Sequence, residues 1–92
     1  MESPVSIRDR VRRYIIEDLK WPDEPSLLTD DFSLIDGRVL DSVRVLGLVQ
    51  FLESEYGIEV LDTEITSEHL DTLARIEQYV NMKRAAQGRG AE

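Results

Sequence analysis

Apolar residues recur every fourth position at Ile7, Val11, Ile15 and Leu19, with Tyr14 beside them. That period puts one apolar stripe on a helix and predicts Ile7–Lys20, about four turns. Ser3 or Ser6 can cap its start, and Asp9, three residues after Ser6, makes a weak relative of a capping box. Trp21-Pro22 predicts the stop, because a proline drives the preceding residue out of the α region. Arg8, Arg10, Arg12 and Arg13 fall mostly off the stripe and read as a solvated basic face.

From Asp23 to Leu40 the period disappears. Pro25, Asp30, Asp31, Asp36 and Gly37 are turn residues, yet Leu27, Leu28, Phe32, Leu34, Ile35, Val39 and Leu40 are too apolar for a disordered linker. A loop of this length inside a compact domain is most often functional. It is expected to lie across the helices with its apolar side chains tucked under.

Helical spacing resumes at Val43–Tyr56, with Asp41 or Ser42 as cap. Val45 or Leu46, then Val49, Leu52 and Tyr56, form the expected apolar face, widened by Leu48, and Gly57 is a natural stop. Ile58-Glu59-Val60 reads as extended and apolar but too short to imply a sheet. Thr66–Leu70 reads as one short turn with Leu70 inward. Asp71-Thr72 can cap a last helix striped by Leu73, Ile76 and Val80, with Tyr79 alongside, running to about Ala86; Lys83 and Arg84 near its end suit the helix dipole. Residues 87–92 read as a flexible tail. The expectation is one domain over 1–92, ordered over about 5–86. It is an all-α bundle of three main helices plus one short helix, with a long loop between the first and second.

Composition narrows the function. Ninety-two residues bury a modest core and leave little room for a deep active site. Eleven Lys+Arg against 19 Asp+Glu give a net charge of -8. That disfavours nucleic acid and anionic membranes and favours basic protein partners. There is no cysteine, so no disulfide, thiolate nucleophile or Cys-based zinc site. Met1-Glu2-Ser3-Pro4 is followed by no signal-type apolar region, and no run reaches membrane-spanning length, so a cytoplasmic protein is expected; it is expected to be a monomer as well.

The candidate chemistry is Leu40-Asp41-Ser42-Val43. A serine hydroxyl at a helix start lies at the positive end of the dipole, where attached phosphate is well tolerated. Serine is a poor nucleophile without an adjacent base, and the one histidine, His69, is in a different helix and reads as a surface residue. That points to a serine that is modified rather than one that catalyses. The plain alternative is a helix cap. A calcium loop over Asp30, Asp31, Asp36 and Asp41 fails on spacing: Gly37 as sixth residue would put Phe32 at the first ligand position.

With these elements, the chain resembles the acyl and peptidyl carrier proteins, discrete carriers that depend on 4'-phosphopantetheine. The resemblance covers roughly Ile7–Val80: the long loop, Asp41-Ser42-Val43, the Val43–Tyr56 helix, Ile58 with Val60, and Leu70-Asp71-Thr72-Leu73-Ala74-Arg75-Ile76. It implies that Ser42 accepts 4'-phosphopantetheine from coenzyme A through a phosphopantetheinyl transferase using Mg2+. The arm's thiol then holds an acyl or aminoacyl group as a thioester between enzymes. It implies no catalysis by the chain itself. Asp41 would both cap the helix and contact the transferase and its metal.

The resemblance also implies partner docking along the second helix, here through Val43, Arg44, Gln50, Glu53 and Val60. The pattern departs from the acidic one of fatty-acid carriers, because Arg44, Gly47 and Gln50 stand at positions often acidic there. Glu53, Glu55, Glu59 and Asp62 remain at the far end. The run from Leu28 to Ser42 looks like free-standing carriers of specialised, polyketide- or nonribosomal-peptide-like metabolism, loaded by an adenylating or acyl-transferring enzyme and unloaded by a synthase or transferase. D-alanyl carriers share part of it. The rival is an unmodified acidic helical adaptor for a basic partner. A Ser42 hydrolase lacks any local base.

Overall fold

The computed structural model describes the backbone of residues 6–90 and the side chains of residues 6–86. Among the described residues there are four α-helices and no strand: α1 (Ile7–Glu17), α2 (Arg44–Tyr56), α3 (Ser67–Leu70) and α4 (Leu73–Gly90). Short 3-10 turns occupy Pro25–Leu27 and Asp62–Glu64. The all-α bundle of three main helices and one short one is therefore present, with the long first connection.

Ser6 caps α1, its Oγ accepting the Asp9 N–H at 3.1 Å; Ser3 lies outside the described residues. The stripe is buried at Ile7, Val11 and Ile15. The helix stops at Glu17, earlier than Lys20. Asp18 N–H closes onto the Tyr14 carbonyl at 2.8 Å, and Lys20 takes a left-handed φ of 61°, so the chain reverses before it reaches Trp21-Pro22. Leu19 is consequently only half-buried.

The basic face of α1 is not simply solvated. Arg8 pairs with Asp30 at 2.5 Å and Glu77 at 2.9 Å. Arg12 reaches Asp30 at 2.8 Å and the Leu28 carbonyl at 3.2 Å, and Arg10 pairs with Glu55. These arginines hold α1 against the loop, α2 and α4; only Arg13, paired loosely with Glu17 at 3.6 Å, remains a surface group. Spacing along one helix could not show this, because the carboxylates come from other elements.

The loop between α1 and α2 does tuck under: Leu28, Leu34, Val39 and Leu40 are buried, and Phe32 is partly so. Its backbone is stitched to the α3–α4 junction. Leu34 N–H donates to the Asp71 carbonyl at 2.7 Å, and Asp71 Oδ1 accepts from Ser33 Oγ at 2.7 Å and Ile35 N–H at 3.1 Å. Trp21 covers the edge, its ring T-shaped against Phe32 at 5.2 Å. Leu27 and Ile35 stay exposed.

In α2 the buried positions are Leu48, Val49 and Leu52, with Val45 half-buried. Leu46 is 53 % exposed, so of the two candidates it is Val45 that leans inward. Gly57, at φ 65°, ends the helix in the left-handed conformation that glycine adopts without strain. Ile58 and Val60 then plug the core from an extended segment. Leu70 is buried from α3, and Leu73, Ile76, Tyr79 and Val80 from α4, which packs on each of the other three helices. Thr72 Oγ1 accepts the Arg75 N–H at 3.1 Å and caps α4. The α4 backbone continues past Ala86 to Gly90; the last two residues of the expected tail lie outside the described residues.

Candidate functional site

Capping of α2 falls to Asp41. Its Oδ1 accepts the N–H of Val43 at 3.0 Å and of Arg44 at 2.7 Å, and its carbonyl accepts the Val45 N–H at 2.9 Å. The Arg44 N–H, first among several causes, holds the Asp41 carboxyl below its ordinary range. Ser42 is thereby released from capping. It sits in the turn before α2, exposed, and its hydroxyl makes no hydrogen bond among the described residues.

Beside Ser42 opens a cavity of about 270 Å³, walled by Ile35 and Leu40 from the long loop, Val45 of α2, Ile65, and Leu70 of α3. The lining is largely apolar, with Asp41, Ser42, Thr66 and Ser67 at its edge. Sequence reasoning marked Ser42 and Asp41 but not this cavity. Its wall is assembled from four separate segments, and the only local sign was a loop too apolar for its position.

The remaining expected site residues separate. Val43 is 75 % exposed, and Arg44 and Gln50 are exposed. Val60 is only 9 % exposed and packs in the core, so it does not offer a contact surface. Glu53 is half-buried and occupied: its Oε2 accepts the Val60 N–H at 2.9 Å, closing the turn after α2. His69 is half-buried rather than a free surface group. Its ring lies 4.8 Å from that of Tyr79, and it lines a separate polar groove that Ser42 does not border. No group of three metal-ligating side chains converges among the described residues. No helix described is long and apolar enough to cross a membrane.

Glu64, at the 3-10 turn below the cavity, is the other polar centre. Its Oε1 accepts from Tyr79 Oη at 2.7 Å, Lys83 Nζ at 2.9 Å and the Leu61 N–H at 3.2 Å. The Lys83 bond, then the Tyr79 bond, lowers the Glu64 pKa to about 2; burial, followed by the Glu64 carboxylate, pushes the Tyr79 phenol up. The cluster ties the segment leading into Ile65 and Thr66 to α4.

Fold and site together define a small helical bundle that presents an uncommitted serine at the head of its second helix. No family model matches the chain. It is 33 % identical over 79 residues to an acyl carrier protein of Caulobacter vibrioides, covering 86 % of this chain and 96 % of that one. An acyl carrier protein of Thermotoga maritima is 32 % identical over 83 residues, covering 90 % and 98 %. One of Rickettsia canadensis is 28 % identical over 83 residues, covering 88 % and 94 %. The chain belongs to the acyl carrier protein family. It is a carrier, not an enzyme.

Proposed function

We propose that Ser42 carries a 4'-phosphopantetheine arm, whose thiol holds an acyl or aminoacyl group as a thioester and delivers it between the enzymes that load and unload it. The observation that carries this reading is the division of labour at the head of α2: Asp41 satisfies the helix amides, and the neighbouring hydroxyl is exposed and unbonded. A phosphodiester on that oxygen would lie near the positive end of the α2 dipole. A tether raises the cargo's effective concentration at each partner in turn. Activation of the serine is the transferase's task, in keeping with a site where His69 is committed to Tyr79. The apolar cavity beside Ser42 would shelter the first atoms of a short cargo from water.

The departure from an acidic α2 at Arg44, Gly47 and Gln50 favours a carrier of specialised metabolism over one of fatty-acid synthesis. The acidic-adaptor alternative draws less support, because Glu53, Glu55 and Glu64 are engaged with the chain's own amide and cationic groups.

Co-expression with a promiscuous phosphopantetheinyl transferase and intact-mass measurement tests the proposal. The wild-type chain should gain one phosphopantetheine and Ser42→Ala none. An unmodified wild type supports the adaptor, and modification of Ser42→Ala places the arm on another residue.

A further inference from the structure

Charge counting and charge placement disagree in this chain. The net charge of -8 suggests a basic partner, but several of the carboxylates are engaged within the chain. Glu55 pairs with Arg10, Glu64 with Lys83, and Asp30 with both Arg8 and Arg12; Glu53 closes on the Val60 amide. The cations are sorted in the same way. Arg8, Arg10, Arg12, Arg13 and Lys83 form ion pairs, Arg75 donates to the Glu68 carbonyl, and Arg84 lies over the Tyr56 ring. Among the described side chains that leaves Lys20, Arg38 and Arg44 without an ion pair, a side-chain hydrogen bond or a ring contact, although, after the Arg44 N–H, the Arg44 charge does help to lower the Asp41 pKa. Arg38 and Arg44 stand four residues before and two after Ser42, and both are exposed.

Apolar surface lies between and beside them. Val43 is 75 % exposed, Leu46 53 % and Ile35 43 %. Val43 and Leu46 are one turn apart at the head of α2, and Ile35 borders the same cavity as Ser42. Arg38 N–H closes onto the Ile35 carbonyl at 3.1 Å, which brings the two ends of this strip of loop together. Asp36 and Asp41 match the two arginines in number, but the Asp41 carboxylate is turned onto the α2 amides.

We infer that the surface around Ser42 docks a protein partner whose apolar socket is edged by carboxylates that meet Arg38 and Arg44. This is opposite in sign to the partner that the whole-chain charge suggests. It rests on reading Ser42 as the point of delivery. The apolar side chains would supply most of the contact, and the arginines would select by charge, since like charges juxtaposed in an interface are disfavoured and opposite ones steer encounter.

The test uses the unmodified, 15N-labelled full chain, so a failure to modify Ser42 leaves it readable. Two synthetic amphipathic helical peptides share one apolar face and differ only in flanking residues, all Glu in one and all Lys in the other. At low salt the Glu peptide should shift the amides of Ile35, Val43, Arg44 and Leu46 and bind about tenfold more tightly than the Lys peptide. Arg44→Gln with Arg38→Gln should erase the preference, and Arg44→Glu with Arg38→Glu should reverse it, with melting temperatures confirming that each variant folds. Preference of the wild type for the Lys peptide overturns the inference. So do absence of binding by either peptide, shifts centred on residues 59–68, and self-association through the same residues. Binding to anionic lipid vesicles in place of the Glu peptide would also overturn it by naming a membrane as the occupant.

Discussion

The carboxylate of Asp41 accepts the main-chain N–H of Arg44 at 2.7 Å, three residues on, and so caps α2 across Ser42. Two residues that sequence alone treats as equivalent caps thus have different duties. Replacing Asp41 by Ala leaves the first amides of α2 without this acceptor and should lower the melting temperature. Asp41→Asn keeps an acceptor oxygen and should melt closer to wild type. Equal melting of all three by circular dichroism would remove capping from the account.

Leu52 and Leu46 separate core from surface on one helix. Leu52 is fully buried, and Leu52→Ala should destabilise by about 2–5 kcal/mol through lost burial and a residual cavity. Leu46 is half in water, and Leu46→Ala should change stability by no more than about 0.5 kcal/mol. Urea denaturation decides; equal losses would mean that α2 is rotated from the orientation described.

Glu64 gives a pH dependence of definite sign. Its pKa falls from an ordinary 4.5 to about 2 on folding, through Lys83 and Tyr79. Its stabilisation is therefore complete above the unfolded-state value and declines as pH falls from about 4.5 towards 2. Glu64→Gln should lower stability at neutral pH and flatten the decline over that acid window. A variant whose acid titration of stability parallels wild type would show that the Glu64–Lys83 contact does not persist in solution.

Gly47 sets two effects against each other. Alanine there gains about 1 kcal/mol of helix propensity. Its Cβ, however, would stand 2.9 Å from Tyr14 Oη, and the Tyr14 ring is held by stacking on Phe51 at 4.5 Å. Overpacking of this kind costs about 1–3 kcal/mol, so Gly47→Ala should be net destabilising, with an altered tyrosine environment in near-ultraviolet circular dichroism. A more stable Gly47→Ala would show that Tyr14 yields freely.

Periodicity was sufficient for the helices because each carries its own stripe: Ile7, Val11 and Ile15 in α1, and Leu73, Ile76 and Val80 in α4. The end of α1 was not legible, since it depends on Lys20 entering the left-handed region, which no residue type at that position announces. The exposed position of Ser42 at the head of α2 is legible from Asp41 before it and the apolar stripe after it. The roles of Glu53 and Val60 are not. The family resemblance implies docking through both, whereas a contact seven residues apart in sequence draws Glu53 onto the Val60 amide and Val60 into the core. The arginines of α1 illustrate the same limit: their carboxylate partners Asp30, Glu55 and Glu77 meet them only in the folded chain.

The most direct measurement is the stoichiometry and position of label transferred from a fluorescent coenzyme A by a phosphopantetheinyl transferase, mapped by tandem mass spectrometry of the Ser42 peptide. The account predicts one label per chain, on the Ser42 oxygen, and none on Ser42→Ala. A folded wild type that stays unlabelled beside a labelled control carrier, or that takes its label on a different serine, would contradict it.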